Sequence, residues 1–169
     1  MKMLKKAAAV LLAAAMSLVM LTACGGGSSS VAKTDAQKME DAYIAVFSTV
    51  LGKECTNDSA LKEQAKTAFN ANVAEDNSVK TEMGNISTSE TEISMFYIPV
   101  AEDGKAQGMT SEQVNAMSDT NAVKAMAASY SKLMAMYNVD TSHVSATGVY
   151  AVTKNDGKTY VALALTVKK

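Results

Sequence analysis

Apolar residues recur along this chain at spacings that tell helices from strands. From Thr34 or Asp35, either able to cap a helix, Met39, Tyr43, Val46, Phe47 and Val50 return every three or four positions. That spacing lays them on one helical face as far as Leu51, and Gly52 supplies the stop. A second stripe of Leu61, Ala65, Ala68, Phe69 and Val73 predicts a helix opened by Asn57 or Asp58. Residues 74–92 turn polar and are broken by Asp76, Asn77, Gly84 and Asn85, so they read as a loop or a short irregular strand. The β-like run Ile93 to Ile98 follows, ended by Pro99, and Asp103-Gly104 marks a turn.

Thr110 with Gln113 fits a capping box for a short helix through Met117. Ser118 or Asp119 can cap the next helix, whose stripe is Val123, Met126, Ala127, Tyr130, Leu133, Met134 and Tyr137, with Asn138 as its stop. The end reads as a hairpin. His143 to Thr153 and Thr159 to Val167 flank Asn155-Asp156-Gly157, and Asp-Gly is a tight-turn signal. Val161 to Leu165 is apolar at every position, which places that strand centrally with helices over the sheet. The expected fold is α+β: an antiparallel sheet of three or more strands layered with about four helices, in one domain over residues 34–169.

The first residues follow another logic. Met1 to Lys6 carries three lysines, Ala7 to Leu21 is a 15-residue apolar run, and small residues lead into Cys24. A basic start, an apolar stretch of about 7–15 residues and a small-residue exit mark a secretory signal peptide. The run falls short of the roughly 20 residues that a membrane-spanning helix needs. A plain secreted protein would want no cysteine at the cut. Leu21-Thr22-Ala23-Cys24 resembles the bacterial lipobox, in which an aliphatic residue and two small ones precede a cysteine. The resemblance implies removal of residues 1–23, cleavage between Ala23 and Cys24, and a diacylglyceryl thioether on Cys24. It implies a location on the outer face of the cell membrane, held by lipid. Residues 24–33, opened by Gly25 to Ser30, have the composition of a flexible tether with a reach of roughly 15–18 Å.

Charge narrows the partners. The only charged residues before Cys24 are Lys2, Lys5 and Lys6, which leaves 13 lysines against 17 acids, a net of −4, and no arginine. That domain lacks the basic footprint of nucleic-acid binding and the bidentate forks suited to phosphate. Its membrane hold is expected to be the covalent lipid alone, with no other cofactor. With Cys24 lipidated, Cys55 has no partner for an intramolecular disulfide and is expected to fill space at a helix junction.

Catalytic and metal chemistry find few residues. No G-x-S-x-G elbow is present, and His143 is the one histidine. No Cys/His cluster suits zinc, and the pairs Glu90/Glu92 and Glu102/Asp103 do not make a calcium loop. Eight methionines follow Cys24, and thioethers can bind Cu(I). Met39, Met126 and Met134, however, lie on helical stripes that predict core packing.

The run His143 to Val152, with Asn155 to Ala162, resembles the final hairpin of bacterial CAP (SCP-like) domains, and Asp58, Leu61 and Ala65 sit as in that family's first helix. The resemblance implies a CAP-like α-β-α sandwich. Many CAP domains line a cleft with two histidines and two glutamates, and one histidine beside the hairpin cannot supply that tetrad. The expected function is a non-catalytic module that binds a protein, peptide or envelope component. The alternatives are a divergent hydrolase or peptidase, which needs His143 gathered in a cleft with an acid and a Ser or Thr, and a metal or small-ligand carrier.

Overall fold

The computed structural model describes residues 32–169. The expected signal peptide, the lipobox-like Leu21-Thr22-Ala23-Cys24 and the expected tether as far as residue 31 lie outside the described residues. Helices begin where a side chain can close the first turn. Helix α1 (Asp35–Leu51) starts at Thr34, whose hydroxyl accepts from the Gln37 amide while the Gln37 side chain accepts from the Thr34 amide. It stops at Gly52, which turns left-handed at φ 63°. Asp58 caps α2 (Ser59–Asn72) by accepting from the Leu61 amide. Thr110 and Gln113 form the same reciprocal box on α3 (Ser111–Ala116), and Asp119 caps α4 (Thr120–Met136). Asn138, at φ 53°, turns the chain out of α4 into a short 3-10 turn, Thr141–His143.

The strands are β1 (Met83–Thr88), β2 (Glu92–Tyr97), β3 (Val144–Thr153) and β4 (Thr159–Lys168). They form one antiparallel sheet in the order β1-β2-β4-β3, so the apolar last strand is central, as its sequence predicts. Ile93 pairs with Val167 and Tyr97 with Leu163 across β2 and β4, and Val149 pairs with Leu163 across β3 and β4. The polar stretch after α2 thus contains a full strand, β1, with a bulge between Asn85 and Ser87. The Asp-Gly signal ends in a longer turn than a two-residue hairpin: residues 154–158 make it, closed by Gly157 at φ 75°.

Alternation along β4 divides the core in two. Val161 and Leu163 face one side, where they pack with Met39, Tyr43 and Phe47 of α1 and with Met126, Tyr130 and Met134 of α4. Tyr160, Ala162 and Ala164 face the other, against Leu61, Ala65 and Phe69 of α2. The sheet therefore lies between α1, α3 and α4 on one side and α2 on the other. Burial of each large side chain here contributes about 1.5–3 kcal/mol. Gly148 lets α2 come close: a Cβ there would stand 2.7 Å from backbone atoms of Leu61 and Lys62. Among the described residues no helix is long and apolar enough to cross a membrane.

Candidate functional site

His143 does not enter a cleft. It ends the 3-10 turn with its side chain 55 % exposed, and its Nδ1 lies 3.9 Å from Asp140 Oδ2. The neighbouring Ser142 hydroxyl donates to Asp140 at 2.6 Å, so Asp140 caps the turn. Cys55 is half-buried at the junction of α1 and α2, with its amide donating to Ser48 and its thiol to the Lys53 carbonyl. Glu92 accepts from Ser145, and Asp103 from the Lys105 amide within its turn. Among the described residues no three His, Cys, Asp or Glu side chains gather where they could hold a metal.

The site that does form is apolar. Helix α4 packs against α1 and leaves a crevice over the β1–β2 half of the sheet, with a cavity of about 220 Å³. Phe47 of α1, Leu163 and Leu165 of β4, and Tyr130, Leu133 and Met134 of α4 make its floor and one wall. Met83 of β1, Met95 and Tyr97 of β2, and Tyr137 and Val139 beyond α4 make its mouth. Exposure rises across the sheet, from buried Leu163 to half-buried Met95, Tyr97 and Met83, so the crevice opens toward β1. An apolar cavity of about 150 Å³ is already enough to hold benzene and stay dry without it.

Three tyrosines give this wall its polar handles. Tyr130 meets Tyr43 edge-on at 5.7 Å and Tyr97 at 6.4 Å between ring centres. The Tyr130 hydroxyl reaches Tyr43 in a long contact of 3.5 Å. Neither the Tyr97 nor the Tyr137 hydroxyl has a hydrogen-bond partner among the described residues, so both are free to meet a ligand. Burial pushes Tyr97 and Tyr130 well above the usual tyrosine range, and it raises Tyr137 as well. The Glu82 carboxylate adds to the rise at both Tyr97 and Tyr137, which places an acid near the mouth. At neutral pH the crevice therefore offers neutral hydroxyls and thioethers on an apolar wall. Such a surface can hold an uncharged apolar group and orient it.

Under the other face of β1 is a second, more open cavity of about 370 Å³ between α2 and the strand, bordered by Gln64, Asn72, Asn85 and Phe96. Gln64 Oε1 is buried there with no hydrogen-bond partner.

Sequence reasoning assigns Tyr130, Leu133, Met134 and Tyr137 to the core stripe of α4, and most of them are buried as predicted. The crevice is missed because its walls come from segments far apart in the chain. A signal was present in β2: Met95 and Tyr97 make one face of that strand as apolar as the other, while no further helix was available to cover it. No family model, curated protein or solved structure matches this chain, so the likeness of its terminal hairpin to CAP domains rests on the hairpin residues alone.

Proposed function

We propose that this chain is a lipid-anchored bacterial lipoprotein on the outer face of the cell membrane, and that its domain is a non-catalytic binding module with the α4 crevice as its ligand site. The observation that carries the binding reading is an opening lined by apolar and tyrosine side chains in which two hydroxyls have no partner. The lipobox-like Leu21-Thr22-Ala23-Cys24 and the Gly/Ser tether carry the anchor. Two or more acyl chains hold a protein at a bilayer stably, at about 0.8 kcal/mol per buried CH₂. The tether then leaves the crevice clear of the head groups. The hydrolase reading needs His143 beside a nucleophile, and its exposed position on the 3-10 turn gives that reading nothing to work with.

Two measurements test the proposal. In cells fed radioactive fatty acid, the wild-type chain is expected to take up label and be shortened, whereas Cys24→Ala remains unlabelled and full-length. Labelling of that variant would remove the anchor. Benzene is expected to raise the thermal midpoint of the full-length chain, with a dissociation constant on the order of 1 mM. Met95→Trp fills the crevice and is expected to abolish that rise. A wild-type midpoint indifferent to benzene would remove the ligand site.

A further inference from the structure

The two edges of the sheet are finished differently. Along β3 the segment between α1 and α2 meets the outward main chain. The Asp58 amide donates to the Thr147 carbonyl at 2.9 Å. Asn57 accepts from the Val149 amide at 2.8 Å and donates to its carbonyl at 3.0 Å. Glu40 accepts from the Ala151 amide at 3.1 Å, and Lys53 donates to the Val144 carbonyl at 2.7 Å.

Among the described residues strand β1 has no such cover. The Ile98 amide donates to the Glu82 carbonyl, and Gly84 lies opposite Phe96 two residues along. The alternation of an antiparallel ladder then turns the main-chain groups of Met83 and Asn85 outward. No hydrogen bond from another described residue reaches them. Met83–Thr88 also contains no charged residue and no proline, the usual means of blunting an edge. Its bulge comes after Asn85, so Met83–Asn85 pairs in regular register.

Each face of this open edge adjoins a cavity. The α4 crevice lies on the face that Met83 shares with Met95 and Tyr97, and the second cavity lies on the face of Ile86 and Phe96. Side chains of a strand alternate between faces, so a strand laid along β1 would address one cavity and then the other. Glu82 stands near the crevice mouth, which disfavours an acidic occupant there. We propose that the β1 edge receives an extended, non-acidic peptide segment of another protein as a fifth strand, with a large apolar side chain in the α4 crevice and the next side chain over the second cavity. This rests on the ligand-site reading above and gives that site its partner class.

The probe is an acetylated, amidated peptide of sequence Gln-Phe-Gln-Leu-Gln-Lys, titrated into the isotope-labelled full-length chain while amide resonances are followed. The expected result is movement of the β1 amides, those of Met83 and Asn85 above all. The same peptide N-methylated at alternate amides should move none of them. Asn85→Pro puts a ring where an outward N–H stood, a place where edge strands tolerate proline. It is expected to weaken the peptide at least tenfold while benzene still binds, and Asn85→Lys, a milder blunting of the edge, is expected to weaken it in the same direction. Peptide-induced shifts confined to crevice side chains would overturn the fifth strand and leave the ligand site standing. Shifts of β1 amides with protein concentration alone would give the edge to a second copy of the chain instead. Silence of both peptide and benzene would overturn the ligand site as well.

Discussion

Tyr160 and Tyr97 show how differently the two halves of this sheet are completed. Tyr160, on β4 beside the β3–β4 turn, donates its hydroxyl to Asp156 at 2.6 Å and accepts from Asn77 at 2.9 Å. Lys154 donates to the same Asn77 at 2.7 Å, and its ammonium lies 5.2 Å from the Tyr160 ring centre and 5.5 Å from that of Phe69. That hydrogen bond acts on both partners. Burial, then Asp156, raises Tyr160 to about 12, and the tyrosine hydroxyl holds Asp156 below the usual carboxylate range. Tyr97, on β2, sits among Met83, Leu163 and the Tyr130 ring, and its hydroxyl has no hydrogen-bond partner among the described residues. The Tyr160 hydroxyl is bound into the fold, whereas those of Tyr97 and Tyr137 have no hydrogen-bond partner among the described residues. A closed network stabilises, and an open apolar wall with unmet hydroxyls is where a ligand gains most.

That contrast can be broken from its closed side. Gly148→Ala pushes a methyl into the backbone of α2, where neither helix nor strand can give way. It is expected to cost about 3 kcal/mol, read as a lower denaturant midpoint. Asn57→Ala uncovers Val149 on β3 and makes that edge resemble β1. A loss of about 2 kcal/mol is expected, with faster aggregation on a light-scattering trace.

Alkaline titration probes the buried tyrosines between the two halves. Burial raises Tyr43 from its usual 10.0 to about 12, and Tyr97 and Tyr130 rise with it. Above pH 10 the unfolded chain gives up protons that the folded chain keeps. The stabilisation is therefore complete below pH 10 and is lost as pH climbs through the folded values. Each such tyrosine contributes a slope of at most about 1.4 kcal/mol per pH unit. Denaturant midpoints should fall above pH 10, and Tyr43→Phe should flatten the fall. The smallest effect belongs to the open side. Met95→Ala removes a half-buried side chain from the crevice mouth and is expected to cost under about 1 kcal/mol, against the roughly 2–5 kcal/mol of a closed core site such as Met39.

Much of the fold could be read from local chemistry. Thr34, Asp58, Thr110 and Asp119 cap their helices because a short side-chain oxygen there meets an amide of the first turn, and Gly52 and Asn138 leave α1 and α4 through left-handed backbone. The central place of β4 followed from its apolar residues on both faces. Strand β1 was only one of two readings, since Gly84 and three small polar residues weaken its pattern. The structure explains that glycine: a Cβ would stand 2.9 Å from the Phe96 ring. The crevice was illegible because it is a gap between elements that each look complete alone. Edge protection was equally hidden, since Asn57 and Glu40 act on main chain about a hundred positions away. Cys24 is the reverse case, a site whose whole argument lies in neighbouring residues.

The most direct test of the open half is to label the methionine methyl groups and titrate the full-length chain with benzene while their resonances are followed. Met83, Met95 and Met134 line the crevice, whereas Met39 and Met109 are sealed in the core away from it. The account predicts saturable shifts for the first three and none for the other two. Shifts of all five alike, or of Met39 and Met109 alone, would contradict it.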